Sequence, residues 1–201
     1  MCIYTYMKLN DIILNSEPFN HYTFKDVFSE SELSGILSID LFKFSAELHG
    51  ERASNKNRFF ANVDNINTND AIKSIVEYFL SDDVVNHFEK ESGRNIRGNY
   101  LRVEFIEDRE KSWLKPHVDI HEKILSMMIY LNNTDESEDI GTSIYDSEQK
   151  LAKIVPYRHN TGFYFYPSHD TWHGLEPIKI KNSRKAIMIN YCTFETEFKV
   201  S

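Results

Sequence analysis

Cysteine, proline and glycine are all scarce in this sequence. Its 201 residues include two cysteines (Cys2 and Cys192), five prolines and seven glycines. Two cysteines exclude a disulfide framework and a cysteine-rich zinc site, and they are compatible with a reducing compartment. No apolar run approaches the ~18 residues of a membrane span, and polar residues break the N-terminal segment too often for a signal-peptide core. We therefore expect a soluble, cytoplasmic protein with no membrane partner.

Positive charge is also in the minority. There are 23 Lys and Arg against 31 Asp and Glu, which gives a net charge of −8. An acidic balance argues against a dedicated nucleic-acid surface, so we expect no nucleic-acid partner. A domain has about 150 residues on average, which predicts a single domain over residues 1–201. The oligomeric state is not readable from these features.

The first half of this domain, residues 1–95, carries helical signals. Ser29 and Glu32 have the spacing of a capping box. Apolar residues then recur with the period of an amphipathic helix from Ile72 to Leu80. A third helix is predicted to close at Gly93. These helices need a surface to pack against, because isolated helices of this length are only marginally stable.

From residue 96 onward the hydrophobic period changes to two. Short alternating segments separated by turn residues predict an all-β sandwich or barrel that the N-terminal helices buttress. In the first of these segments Arg102 and Glu104 share one face, opposite Leu101, Val103 and Phe105. If helices cover the apolar face, Arg102 and Glu104 point into the sandwich. The alternative is that both lie on a solvated outer face.

His117 and Asp119 lie two residues apart in an apparent strand, so both side chains point the same way. An imidazole and a carboxylate side by side can occupy two neighbouring positions on one metal ion, and His173 qualifies as the third ligand. Two histidines and one carboxylate on one face of a metal are typical of non-haem Fe(II) oxygenases. His159 and His169 remain alternatives for the third ligand.

Arg184 follows His173 by eleven residues and begins a strongly periodic segment. Arg184, Ala186, Met188 and Asn190 share one face of this predicted strand. An arginine inside a sandwich is costly unless it meets an anion, and its planar fork suits a carboxylate. Arg184 could therefore clamp the carboxylate of a keto-acid bound at the metal. The alternative is a structural arginine paired with Glu104.

The ordered pattern of His117, Asp119, His173 and Arg184 resembles the 2-oxoglutarate/Fe(II)-dependent oxygenase superfamily. The segment Ile129–Asn133 is similar to the prolyl-4-hydroxylase-like branch. The resemblance covers about residues 97–195. It implies a double-stranded β-helix (jelly roll) core, and hence an α+β, mainly β, fold with the metal site in residues 96–201.

The resemblance also implies a role for several residues. His117, Asp119 and His173 would bind iron, while Arg184 and Tyr130 would bind the distal carboxylate of 2-oxoglutarate. Many relatives have Ser or Thr where this sequence has Ala186, and Asn190 could supply the missing hydrogen bond. Arg102, Glu104 and Trp172 are candidates for the substrate side of the cavity. Asp119 favours oxygenation over halogenation, because halogenating relatives have a small residue there.

The function implied by the resemblance is a dioxygenase that uses Fe(II), 2-oxoglutarate and O2 to hydroxylate a C–H bond, with release of succinate and CO2. Ascorbate is a further candidate cofactor. A small-molecule substrate is favoured, because no extra binding domain is visible, and a peptidyl substrate stays open. Two alternatives are a non-oxidative, cupin-like metalloenzyme and a non-catalytic jelly-roll module that binds a sugar or peptide.

Overall fold

A computed structural model describes residues 8–39 and 70–201 and the backbone of residues 58–62. Twelve strands and three α-helices lie in these ranges. The helices are α1 (Glu30–Leu37), α2 (Asp70–Leu80) and α3 (Asp82–Ser92), and Glu138–Ile140 forms a short 3₁₀ helix. The strands are β1 (Asn10–Asn15), β2 (His21–Lys25), β3 (Arg58–Asn62), β4 (Tyr100–Asp108), β5 (Leu114–His117), β6 (Lys123–Tyr130), β7 (Thr142–Tyr145), β8 (Leu151–Val155), β9 (Thr161–Phe165), β10 (His173–Leu175), β11 (Arg184–Cys192) and β12 (Phe198–Lys199).

These strands form two antiparallel sheets. The larger sheet has the order β1-β2-β9-β6-β11-β4-β12, and β3 also pairs with β4. The smaller sheet has the order β5-β10-β7-β8. Because strands distant in sequence are neighbours in both sheets, residues from several parts of the chain meet between them. The mainly-β fold class expected from the sequence is confirmed.

The helices begin and end where their sequences predict. At the start of α1, Glu32 accepts a hydrogen bond from the Ser29 backbone N–H at 2.7 Å, and the Ser29 hydroxyl accepts one from the Glu32 N–H at 3.4 Å. Helix α3 ends at Gly93, whose φ of +68° is a left-handed conformation that glycine adopts without strain. No helix in the described part of the chain is long and apolar enough to cross a membrane.

All three helices pack on one face of the larger sheet. Ile75, Phe79 and Phe88 are fully buried against the odd-numbered residues of β4, β6 and β11. Burying this continuous apolar layer removes the main helix stripes and one sheet face from water, which is the chief stabilising contribution. The sheet residues in this layer are Leu101, Val103, Phe105, Leu125, Met127, Ile129, Ile187, Ile189 and Tyr191.

The other face of the larger sheet packs against the smaller sheet. Its apolar part forms a second cluster that includes Tyr130, Phe163 and Ala186 from the larger sheet and Ile144 and Val155 from the smaller one. The even-numbered residues of β4, β6 and β11 therefore line the space between the sheets. Arg184 was expected on this face, and for Arg102 and Glu104 it was one of two alternatives.

The N-terminal half differs in one respect from its prediction. Helical signals dominate residues 1–95, yet strands β1, β2 and β3 also lie there and extend the larger sheet. Strand β2 pairs with β9, and β3 pairs with β4. These partners in β9 and β4 lie more than 40 residues away in the sequence, so short-range periodicity could not reveal the two pairings.

The aromatic side chain of Phe88 is expected to carry much of the contact between α3 and the larger sheet. Its ring is fully buried and contacts the rings of Tyr164 and Tyr191. Phe88→Ala should lower the free energy of unfolding by about 3–5 kcal/mol, because it leaves a cavity. The control is Asn86→Ala on the exposed side of the same helix, which should change it by less than about 0.5 kcal/mol. Urea denaturation measures both, and similar losses in the two variants would contradict the packing role.

Candidate metal centre

Two histidines lie side by side on neighbouring strands. His117 ends β5, His173 begins β10, and the two are direct cross-strand partners. Their ring centroids are 4.3 Å apart. Gly174 allows this close approach, because a Cβ at that position would lie 2.5 Å from the Leu114 carbonyl oxygen. The register of the small sheet therefore brings the two imidazoles together.

Backbone carbonyls hold both rings in the orientation that a metal ligand needs. The Nδ1–H of His117 donates to the Lys115 carbonyl at 3.1 Å, and that of His173 donates to the Thr171 carbonyl at 3.0 Å. A carbonyl can only accept, so each ring carries its proton on Nδ1. The lone pair on Nε2 of a neutral ring is then available to a metal ion.

The Asp119 carboxylate is the third member of the cluster. It lies in the turn after β5 rather than in the strand, and its Oδ2 is 4.0 Å from Nε2 of His173. The expectation that Asp119 belongs to a strand is wrong, yet the turn still directs the carboxylate toward the histidines. The potential ligand atoms of His117, Asp119 and His173 all lie within 4.8 Å of one another.

The Asp119 side chain is only 5% exposed. Two groups from β6 donate hydrogen bonds to its carboxylate. Nζ of Lys123 donates to Oδ1 at 2.5 Å, and the Ser126 hydroxyl donates to Oδ2 at 2.5 Å. Burial alone would raise the pKa of Asp119, but the Lys123 ammonium, His173 and these hydrogen bonds hold it well below its usual range. Asp119 is therefore an anion at neutral pH.

His173, by contrast, is neutral at neutral pH. Burial lowers its pKa to about 4, and the nearby His117 and Lys123 act in the same direction, while Asp119 and the Thr171 carbonyl oppose them. The cluster thus presents a neutral imidazole beside a carboxylate anion. Histidine nitrogen and carboxylate oxygen are the donors that Fe(II) oxygenase sites use, so these residues fit a ferrous ion.

The other candidate histidines lie elsewhere. His159 and His169 are exposed, and the metal-ligating group found among the described residues does not include them. His121 has a side chain that is 93% exposed, which places it on the surface rather than in a cavity. His173 is therefore the histidine that the fold brings to His117 and Asp119.

Polar side chains continue from Asp119 across the inner face of the larger sheet. Asn190 donates to the Ser126 hydroxyl at 3.1 Å and accepts from Nη2 of Arg102 at 2.8 Å. Arg102 in turn lies 3.7 Å from Oε2 of Glu104, which is buried. The alternative of a solvated outer face for Arg102 and Glu104 is excluded. Both line the inner face, next to the group that holds Asp119.

Asn190 does not lie near Arg184, where it could supply the hydrogen bond that Ala186 cannot make. It is six residues from Arg184 along β11, which is roughly 20 Å in a strand. Its contacts are Ser126, Arg102 and the Leu125 carbonyl. The Asn190 amide therefore supports the end of the inner face next to Asp119, called the metal end below. It does not replace a hydrogen bond near Arg184.

Arg184 lies at the other end of this face and is paired with a carboxylate of the protein itself. Its Nη1 donates to Oδ2 of Asp108 at 2.7 Å, and its Nε donates to the Ile140 carbonyl at 2.7 Å. The alternative partner considered from the sequence, Glu104, is wrong. Asp108 is the direct cross-strand neighbour of Arg184, which explains the choice.

Tyr130, the other residue that the resemblance assigns to the 2-oxoglutarate carboxylate, lies beside Arg184. The centre of the guanidinium lies 5.4 Å from the centroid of the Tyr130 ring. The Tyr130 hydroxyl donates to Oγ1 of Thr142 at 2.7 Å, and Nη2 of Arg184 donates to the same atom at 3.3 Å. Tyr130 is four residues from Ser126 on the same face of β6, so the arginine end and the metal end are roughly 13 Å apart along the strand.

Trp172 precedes His173 and is half-buried. Its backbone carbonyl accepts from the Tyr145 N–H at 3.0 Å, and its own N–H donates to the Asp170 carbonyl at 2.9 Å. These bonds fix the chain just before β10. A contact between the Trp172 ring and substrate stays a prediction.

Sequence reasoning missed four side chains of this site. Strand alternation alone puts Ser126 on the same face of β6 as Tyr130, but it gives Ser126 no role. For the other three the contact depends on strand register or on the path of a turn, which local patterns do not encode. They are Asp108, Lys123 and Thr142.

Comparison with known proteins gives a family match for part of the chain. Residues 101–192 match the 2OG-Fe(II) oxygenase superfamily. This segment belongs to that superfamily. It spans β4 to β11 and contains the three clustered ligands, Tyr130 and Arg184. Enzymes of this superfamily use Fe(II), 2-oxoglutarate and O2, so the predicted enzyme class and cofactors are confirmed.

Solved structures of oxygenases share the fold over most of the chain. A prolyl hydroxylase from Trichoplax adhaerens, in complex with a hypoxia inducible factor peptide, is 19% identical with a TM-score of 0.62, over 86% of this chain and 83% of that one. A prolyl-4-hydroxylase from Pseudomonas putida is 12% identical with a TM-score of 0.62, over 87% and 92%. The α-ketoglutarate-dependent epimerase SnoN from nogalamycin biosynthesis is 9% identical with a TM-score of 0.59, over 90% and 80%.

These structural likenesses confirm the double-stranded β-helix expected for the core. A search of curated proteins gives no match. The family assignment favours an oxygenase over the cupin-like metalloenzyme and over the non-catalytic binding module.

The neutral state of His173 predicts how the stability of the metal-free protein depends on pH. In the unfolded chain His173 is protonated as pH falls below about 6.5, whereas in the folded protein its pKa is about 4. Stability is therefore lost as pH falls through this window, by about 2–3 kcal/mol at pH 4.5. Urea denaturation of chelator-treated protein at pH 7.5 and 4.5 measures the loss. Between pH 7.5 and 4.5 the His173→Gln variant should lose about 2–3 kcal/mol less stability than the wild type. An equal loss of stability in both proteins would show that His173 is not buried in its neutral form.

Proposed function

We propose that this protein hydroxylates a C–H bond of a small-molecule or peptidyl substrate, with His117, Asp119 and His173 as the Fe(II) ligands and Arg184 as the anchor of 2-oxoglutarate. The observation that carries the proposal is the convergence of two imidazoles and one carboxylate within 4.8 Å. This cluster lies inside the segment that belongs to the oxygenase superfamily. Two histidines and one carboxylate would leave room for 2-oxoglutarate and O2 at a bound ferrous ion.

The chain itself holds these ligands ready. The Lys115 and Thr171 carbonyls fix the proton of each histidine on Nδ1, which directs Nε2 toward the centre. Lys123 and Ser126 keep the carboxylate charged and limit its rotation. Groups of this kind, one step removed from the metal, raise ligand basicity and set ligand orientation.

Bound Fe(II) would supply the chemistry by which R–H, O2 and 2-oxoglutarate become R–OH, succinate and CO2. The protein contributes the binding surfaces for both organic reactants. Arg184, with Tyr130 and Thr142 beside it, offers guanidinium and hydroxyl donors to a carboxylate. Arg102 and Glu104 offer charged groups to the substrate at the opposite end of the inner face.

The proposed substrate class rests on the similar structures and on the charge of the chain. Among the similar structures, one is a prolyl hydroxylase that holds a peptide and another is an epimerase of nogalamycin biosynthesis. A small molecule is our first choice for this chain, a peptide is the second, and Trp172 is a candidate contact for either. The net charge of −8 disfavours a nucleic acid. We further propose a cytoplasmic location and activation by ascorbate.

Metal binding tests the ligand set directly. Mn(II), a spectroscopic substitute for Fe(II), should bind the wild-type protein. Electron paramagnetic resonance measures this binding. Loss of a residue that only supports a metal ligand weakens metal binding by about 10–100-fold. Asp119→Ala and His173→Ala each remove a ligand, so each should weaken Mn(II) binding by more than that. The control is His121→Ala, whose exposed side chain lies outside the cluster and should not alter affinity. Wild-type affinity in the Asp119 variant would remove this residue from the ligand set.

Cosubstrate turnover tests the oxygenase assignment. With Fe(II), 2-oxoglutarate and O2, the protein should release succinate, and candidate small molecules and peptides that are substrates should accelerate this release. Arg184→Lys should raise the KM for 2-oxoglutarate by about tenfold or more, because an ammonium lacks the planar fork of a guanidinium. A KM equal to that of the wild type would contradict the anchoring role. Absence of succinate with every candidate, in protein that binds metal, would contradict the proposed reaction.

A further inference from the structure

Asp108 and Arg184 form an ion pair that is closed to water. The two residues face each other across β4 and β11, and they are 0% and 1% exposed. Nη1 of Arg184 donates to Oδ2 of Asp108 at 2.7 Å. The positive charge of the arginine is therefore already balanced by an anion of the same chain.

The remaining contacts fix the guanidinium in this arrangement. Nε donates to the Ile140 carbonyl at 2.7 Å and Nη2 to the Thr142 hydroxyl at 3.3 Å. The rings of Tyr130 and Tyr157 lie 5.4 and 5.8 Å from its centre. A carboxylate that arrives at this site meets a cation that is oriented, shielded and neutralised.

The surroundings make a second carboxylate costly beside the first. Ile140, Tyr130, Tyr157 and Ala186 belong to one apolar cluster around the pair. Two carboxylates that share one site in such an environment repel each other, and the electrostatic screening by water is absent. An incoming carboxylate must therefore either displace Asp108 from Arg184 or bind against its charge.

We propose that Asp108 is a specificity-determining residue of the cosubstrate site, which competes with the distal carboxylate of a 2-oxo diacid for Arg184. The inference rests on the proposed function, because it takes Arg184 as the anchor of 2-oxoglutarate. It has two consequences. Asp108 weakens the binding of 2-oxoglutarate, and it narrows the preference of the enzyme for 2-oxoglutarate over a 2-oxo acid whose distal end is uncharged.

Binding to the Mn(II)-loaded protein without turnover tests both consequences. Dissociation constants are measured by calorimetry for 2-oxoglutarate and for 2-oxopentanoate, which has the same carbon chain without the distal carboxylate. Asp108→Asn keeps the size of the side chain and removes its charge. It should tighten 2-oxoglutarate by about tenfold or more and change 2-oxopentanoate by less than about twofold. Unchanged or weaker binding of 2-oxoglutarate by the variant would overturn the proposal.

The neighbouring residue provides a matched control. Glu107 is on the same strand and points to the helix-covered side, where it pairs with Arg109 at 2.9 Å. Glu107→Gln removes the same charge one residue away from Asp108. It should leave both dissociation constants within about twofold of the wild type, and a tightening equal to that of Asp108→Asn would mean that net charge alone is responsible and would overturn the proposal.

The wild-type protein gives a second measurement that does not depend on the folding of a variant. If Asp108 competes, the wild type should prefer 2-oxoglutarate over 2-oxopentanoate by less than about tenfold, whereas a preference above about 100-fold would overturn the proposal. The two hypotheses fail differently. If neither 2-oxo acid binds, the proposed function is contradicted together with the role of Asp108. If 2-oxoglutarate binds tightly and selectively, only the role of Asp108 is contradicted.

Discussion

The candidate centre depends on keeping one buried carboxylate charged. Asp119 is removed from water, and burial by itself would favour its neutral form. Lys123 and Ser126, both on β6, reverse that preference through the positive charge of Lys123 and two short hydrogen bonds. His117 and His173 approach the same point from the smaller sheet. The pairing of an anion with two imidazoles is therefore a property of both sheets together and of neither alone.

The two faces of the larger sheet divide the work of stability and chemistry. Helices α1, α2 and α3 cover one face with a continuous apolar layer, in which Phe79 and Phe88 are fully buried. The opposite face is then free to carry charged residues without loss of the main core. Polar residues there pair with one another, as Arg102 does with Asn190, because a buried polar group without a partner destabilises the fold.

Local patterns predicted several features of the fold and of the site. The capping box at Ser29 and the helix end at Gly93 were correct, because each depends on a few adjacent residues. Strand alternation correctly placed Arg184 on the inner face, and it left Arg102 open between the inner face and a solvated outer face. It could not identify the partner of Arg184, since Asp108 and Glu104 share that face and only the register of β4 against β11 distinguishes them.

The sequence by itself determined the order of ligand types, the faces of the strands and the ends of the helices, all of which follow from residue chemistry and backbone period. Tertiary structure decided the rest: that His173 rather than His159 or His169 meets His117, that β1 to β3 join the larger sheet, and that Asp108 neutralises Arg184. The physical reason is that cross-strand register and turn paths bring together residues far apart in the chain, and their contact energies depend on the whole packed arrangement.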